Sequence, residues 1–177
     1  KFRSGEFVMI GLLDSNQKPI LRAYSICSPS WSEELEFYSI IVKDGPLTSK
    51  LKNIKIGDEI IMMPKSTGTL VLDALKPGKR LFLLSSGTGF APFAALIREP
   101  ETYERFESIV VTHTCRMITE LSYSQSIIQE CKNDELIKEF IDNKLLSYHS
   151  TTRDDYIFNG RITELISTNK LFNDLKI

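Results

Sequence analysis

The sequence is poor in the residues that build cross-links and metal centres. Its 177 residues include three cysteines (Cys27, Cys115, Cys131) and two histidines (His113, His149). An odd cysteine count with no Cys-x-x-Cys pair argues against a disulfide framework and against structural zinc, and it fits a reducing cytoplasm. Two histidines without a carboxylate at ligand spacing make a poor metal site, so no metal is expected. There is no excess of positive charge either. The 22 Lys and Arg stand against 23 Asp and Glu, a net −1, so no overall basic field recruits nucleic acid. No apolar run approaches the roughly 18 residues of a membrane-crossing helix, and no secretory signal is visible, so no membrane association is expected. Internal repeats, low-complexity tracts, a Ser-His-Asp order and a paired-carboxylate signature are all missing. What is there is an apolar fraction of 42%, enough for a packed core in one large or two small domains.

The pattern changes character near Lys76-Pro77-Gly78-Lys79-Arg80, which divides the chain into residues 1–76 and 77–177. Before this joint, short apolar runs alternate with turn residues. Phe7 to Leu12 and Ile20 to Cys27 flank a turn over 14–19, and Leu35 to Val42 alternates as a half-buried strand should. After Asp44-Gly45-Pro46, Leu47 to Leu51 reads as a short helix capped by Thr48 or Ser49, and Asp58 to Met63 as a further strand. Strands at this spacing predict an antiparallel barrel or sandwich. Beyond the joint, Leu81 to Leu84, Ile109 to Thr112 and Leu145 to His149 are continuous apolar strands. Helical patterns cover Phe90 to Arg98, Glu120 to Cys131, Glu135 to Ile141 and the region of Ile162 to Ile166. That alternation predicts a parallel sheet with ligand loops at the carboxyl ends of its strands.

Gly87-Thr88-Gly89-Phe90-Ala91-Pro92 follows the first strand of the second half and opens a helix. Two glycines permit a tight turn and close approach of a phosphate to backbone N–H groups at a helix start. The dinucleotide fingerprint asks for a third glycine where this chain has Pro92, which the first helical turn tolerates. No Lys-Ser/Thr follows, so a Walker-type loop is excluded. Taken alone, the motif is equally compatible with a plain strand–helix connection.

Three elements in order carry a resemblance. Arg22-Ala23-Tyr24-Ser25 ends a strand, Gly45-Pro46-Leu47-Thr48-Ser49 follows about twenty residues later, and Gly87 to Pro92 about forty after that. Together they resemble the ferredoxin–NADP reductase family, its bacterial ferredoxin/flavodoxin branch in particular. The stretches Leu35 to Val42, Thr67 to Leu72 and Pro100 to Phe106 are also similar, so the likeness runs along essentially the whole chain.

The resemblance implies an antiparallel β-barrel FAD-binding domain followed by an α/β parallel-sheet NADP-binding domain. It implies further sequence on both sides, with a barrel strand or two before Lys1 and more sheet, helix and tail after Ile177. The implied enzyme uses FAD and NADPH and exchanges electrons with ferredoxin or flavodoxin. Arg22, Ala23, Tyr24 and Ser25, with Ile40 and Val42, would hold the flavin, Tyr24 stacking on it and Ser25 donating near its reactive nitrogen. Pro46, Leu47, Thr48 and Ser49 would hold its pyrophosphate. Gly87, Thr88, Gly89, Ala91 and Pro92 would seat the nicotinamide nucleotide, and Arg116, Thr152, Arg153 and Arg161 its 2′-phosphate. These side chains suit the task, since a guanidinium fork grips phosphate and an arginine pair prefers a phosphomonoester to a bare diol. Two other readings stay open: the reductase module of an oxygenase or similar electron-transfer chain, and a non-catalytic nucleotide-binding domain of the same fold.

Other residues attract attention on weaker grounds. His113 and His149 each end a parallel strand, where His113 could line a nucleotide cleft or simply be packed or solvated. Cys27 reads as a small buried thiol and Trp31 as a loop staple. Lys50, Lys52, Lys55, Lys76, Lys79 and Arg80 could rim a docking face for an acidic protein, or simply be solvated.

Overall fold

The computed structural model describes all 177 residues, Lys1–Ile177. Strands β1 (Phe7–Leu13) and β2 (Pro19–Ser25) form an antiparallel hairpin in register from Phe7↔Ser25 to Leu13↔Pro19. Its turn is tied by Asp14, whose carboxylate accepts the N–H groups of Asn16 and Lys18, both at 2.8 Å. The far edge of β1 pairs with β3 (Ile61–Met62), giving the order β2-β1-β3. Single bridges, Phe7↔Thr67 and Ile26↔Phe37, extend this sheet. Val8 and Ile10 point inward at period two and close on Ile26, with Tyr24 and Phe37 packed around them.

Two expected strands fall short. Residues 35–42 are extended but form no ladder beyond the bridge at Phe37 and the bond from Cys27 N–H to Glu36 O at 2.8 Å. Alternation records which face seeks burial but not whether a ladder forms; the outer edge of β2 carries no ladder, and Ile40, Ile41 and Val42 stay exposed. The strand expected over 58–63 is likewise shorter, reduced to β3. The helix α1 (Thr48–Leu51) is a single turn starting from Leu47, with no side-chain cap. Thr48 lies inside that turn, where its Oγ1 accepts the Val42 N–H (3.1 Å) and donates to Val42 O (3.2 Å). It pins the 42–48 loop instead of capping the helix as expected.

The second half is a parallel sheet of β4 (Gly78–Ser86), β5 (Phe106–Cys115) and β6 (Leu145–Thr151), with β5 central. Burial of β5 on both faces accounts for its unbroken apolar run. After β4 come a 3₁₀ turn (Gly87–Phe90), α2 (Ala91–Leu96) and α3 (Pro100–Arg105). After β5 come a 3₁₀ turn (Ile118–Leu121), α4 (Ser122–Asn133) and α5 (Lys138–Lys144). Helix α4 begins two residues later than expected because the Glu120 carboxylate takes the N–H groups of Arg116 and Met117 and closes the preceding turn. Asp134 likewise holds Leu136 N–H and Lys138 N–H in a turn, delaying α5 to Lys138. Helices α6 (Ile162–Ser167) and α7 (Lys170–Leu175) follow β6. The second was not expected; Asn169 at φ 58° breaks the run and restarts it.

The main core does not stop at the joint near residue 76. Cys27 and Leu72, from the antiparallel half, belong to the same buried cluster as Leu81, Leu83, Phe90, Ile109 and Ile127. No helix is long and apolar enough to cross a membrane.

Candidate functional site

A crevice of about 310 Å³ opens between the two halves. One wall is the end of β2, where Arg22, Ala23, Tyr24 and Ser25 follow one another, completed by Ile40, Val42 and Thr48. Tyr38 and Ser39 form its inner side, and Thr88 and Ala91 of the glycine turn form the wall opposite. The arginine–tyrosine–serine strand end and the glycine turn therefore share one space.

The hairpin register places these groups. Tyr24 pairs with Val8 in β1 and stands half-buried, its ring edge-on to Phe37 with centroids 6.5 Å apart. Arg22 is exposed, and the one hydrogen bond its side chain makes within the chain runs from Nη1 to the adjacent Leu21 O at 2.8 Å. No hydrogen bond within the chain occupies the hydroxyls of Tyr24, Ser25 or Thr88. A cation, three uncommitted hydroxyls, two aromatic faces and an apolar floor suit a ligand that joins a flat ring to phosphate. FAD fits that donor set.

Sequence reasoning did not single out Tyr38. Its ring stacks on Tyr123 of α4 at 4.4 Å and 12°, and its hydroxyl reaches Glu120 O. Phe90 stands edge-on to Tyr123, so an aromatic wall backs the crevice across both halves. The signal was present as two adjacent aromatics, Phe37 and Tyr38, in an alternating stretch, but pairing of two distant segments decided where each points.

The glycine turn is held from behind. Gly87 has φ +50°, a conformation that favours glycine. Of the roles open to it, His113 takes the packed one and does not line the crevice: it is 1% exposed, with its ring under the turn. Its Nε2 lies 2.9 Å from Gly87 O and its Nδ1 2.7 Å from Ser124 Oγ of α4. Burial lowers its pKa, opposed by the bond to Gly87.

The loops after β5 and β6 are knitted together. Thr152 N–H bonds Cys115 O and Arg153 N–H bonds Arg116 O, each at 3.0 Å. Thr152 and Arg153 line a wholly polar hollow of about 300 Å³ with Asp154, Asp155 and Asn159. Arg116 and Arg153 both act on Glu120, whose pKa is lowered chiefly by the Met117 N–H and further by these two cations. Arg161 opens α6 beyond Gly160 and is not part of that lining.

Pro46, Leu47, Ser49, Gly87, Gly89 and Pro92 do not line the crevice directly. Leu47 and Pro92 are buried, Leu47 under α1 and Pro92 in the first turn of α2. Trp31 is exposed and away from the crevice. All three cysteines are free and buried; burial pushes the thiols of Cys27 and Cys115 up to about 11 and that of Cys131 to about 12, so none is a ready nucleophile. Lys50 borders a separate hollow with Leu12, Leu13 and Ile54, and Lys79 borders another with Glu104 and Arg105.

No family model matches the chain. Among curated proteins, it is 57% identical over 177 residues to the flavodoxin/ferredoxin–NADP reductase of Rhodobacter capsulatus, covering all of this chain and 66% of that one. It is 48% identical over 175 residues to the ferredoxin–NADP reductase of Azotobacter vinelandii, covering 99% and 67% respectively. Among solved structures, it superposes with a TM-score of 0.86 on a ferredoxin NADP+ reductase from Neisseria gonorrhoeae with bound FAD and NADP. Sequence identity there is 26%, over 99% of this chain and 68% of that one. The chain thus spans about two thirds of the length of the curated relatives it matches.

Proposed function

The chain belongs to the ferredoxin–NADP reductase family, and from that premise we propose that it binds FAD and NADPH in the crevice between its halves and passes electrons between NADPH and a ferredoxin or flavodoxin. The observation that carries this reading is the shared crevice, with Arg22, Tyr24 and Ser25 on one wall and Thr88 on the other. When bound, flavin supplies the exchange between two-electron and one-electron chemistry. The chain supplies position and charge.

In this reading residues 1–76 hold the flavin and 77–177 the nicotinamide nucleotide. Arg22 grips phosphate with its free guanidinium, which is exposed and unpaired with any carboxylate. Tyr24 offers a ring face and a free hydroxyl, and Ser25 a free hydroxyl donor at the reacting end; these two are the catalytic assignments. Ile40 and Val42 cover the apolar part, and Pro46 to Ser49 shape the phosphate end through the Thr48–Val42 pin. Gly87 to Pro92 lets the second nucleotide approach backbone closely. Arg116, Thr152, Arg153 and Arg161 select the 2′-phosphate, the first three brought near one another by the joined loops. Water is kept from the inner side by the Tyr38–Tyr123–Phe90 wall. Three buried thiols without a disulfide suit a reducing cytoplasm.

The test is reconstitution. Purified protein mixed with FAD and passed through a desalting column should emerge yellow, and NADPH added without oxygen should bleach it. Colourless protein after reconstitution would favour a non-catalytic domain.

A further inference from the structure

We propose that His113 is a positioning residue for nucleotide binding, its Nε2–H holding the Gly87 carbonyl inward so that the adjoining Thr88 N–H faces the crevice. The proposal deepens the reading of the crevice as a dinucleotide site and rests on it.

The geometry carries each link. A carbonyl only accepts, so the 2.9 Å contact with Gly87 O requires the proton on Nε2. Burial lowers the ring's pKa. With the proton on Nε2, Nδ1 accepts the Ser124 hydroxyl at 2.7 Å in place of Leu121 O, which lies 2.9 Å from the same Oγ. Cys115 Sγ, 3.1 Å from Nε2, stands as a second acceptor of the Nε2 proton. Ser124 is itself fully buried in α4, so the imidazole is locked between a helix and the turn. Phe90 fixes the ring plane, 5.0 Å away between centroids. The peptide joining Gly87 to Thr88 is trans, as are all in the chain, so its C=O and N–H point in opposite directions. With the carbonyl turned to His113 in the core, the Thr88 N–H is turned outward, on the side where Thr88 lines the crevice. Gly87 at φ +50° permits this orientation; something must hold it, and a buried imidazole is a stiffer holder than water.

The test compares the FAD-reconstituted chain with its H113N, H113Q and S124A variants. Gln at 113 can still reach Gly87 O with its amide nitrogen, whereas Asn stops near the place of Nδ1. NADP+ titrations read by the flavin difference spectrum should show H113N binding about tenfold more weakly, H113Q within about threefold of the parent, and S124A between them. Flavin affinity should stay within about twofold throughout. In the parent chain, nitrogen NMR of His113 should show the Nε2–H tautomer, a readout independent of any ligand. An Nδ1–H tautomer overturns the proposal. So does equal weakening in H113N and H113Q, which would mean that ring packing matters and the bond does not. Parent-like NADP+ binding in every variant overturns it while leaving the crevice reading intact. A parent chain that takes up FAD but no NADP+ overturns both. Should H113N fail to retain FAD, S124A decides: weaker NADP+ binding supports the latch and unchanged binding refutes it.

Discussion

Glu36 and Arg98 meet across the two halves of the molecule, with Oε2 and Nη2 2.7 Å apart. The same Nη2 donates to Cys27 O at 2.6 Å, and the other Glu36 oxygen accepts the Tyr123 hydroxyl at 2.8 Å. One carboxylate from the antiparallel half thus ties the end of α2 to α4. Tyr38 stacks on Tyr123 two residues further along, so segment 36–38 sets how the crevice walls face each other.

Replacing Glu36 by Ala should leave Arg98, only 14% exposed at its side chain, with backbone acceptors alone, and should strand the Tyr123 hydroxyl. Glu36 itself is 37% exposed, so water screens part of the loss. A destabilisation of about 1–2 kcal/mol is expected, read as a lower urea midpoint with an unchanged slope.

Arg22→Ala should separate binding from folding. The exposed guanidinium makes one hydrogen bond, to its neighbour's carbonyl, so stability should move by less than about 0.5 kcal/mol. If it bonds the flavin's phosphate, FAD affinity should fall by roughly 2–3 kcal/mol, about 30- to 150-fold. Fluorescence titration with FAD measures this, and unchanged affinity removes Arg22 from the site.

Two glycines should respond differently to alanine. At Gly45 a Cβ would stand 2.5 Å from Thr48 Oγ1 and 3.1 Å from Val42 O, so the pin between them must break. Gly45→Ala should lower stability by about 1–2 kcal/mol and loosen FAD. At Gly87 a Cβ meets open space, and only the φ of +50° costs, about 1 kcal/mol. Gly87→Ala should instead obstruct the nucleotide; calorimetry of NADP+ binding beside thermal melts distinguishes the two.

Stability should fall in mild acid through His149. Its pKa drops from an ordinary 6.5 to about 4, because burial penalises the imidazolium and the neighbouring His113 adds repulsion. The unfolded chain binds this proton first, so the neutral ring's contribution is full above pH 6.5 and is lost as pH falls towards 4. The whole swing is on the order of 3 kcal/mol. His149→Gln should flatten denaturation midpoints over that window; an unchanged slope would mean that other groups dominate.

Arg153→Ala should weaken NADP+ by about 1.5–3 kcal/mol and leave NAD+ nearly untouched, if its guanidinium meets the 2′-phosphate. Equal weakening of both nucleotides would place Arg153 elsewhere on the ligand.

Local composition settled what local physics governs. The hairpin over 7–25, the single helical turn at 48–51, the three parallel strands and the glycine turn all follow from short-range period, turn chemistry and backbone freedom, and the order of three motifs was enough to point to the family. Long-range pairing was beyond it. The alternation over 35–42 promised a strand, yet in the fold Phe37 bridges once to Ile26 and Tyr38 turns to Tyr123 of α4. The place of His113 at the end of a parallel strand left cleft lining, packing and solvation all open, and only the packing of α4 over β5 buried it beneath Gly87. Whether a side chain meets ligand, core or solvent depends on surfaces brought together from far along the chain, and one segment's own pattern contains no record of its partner.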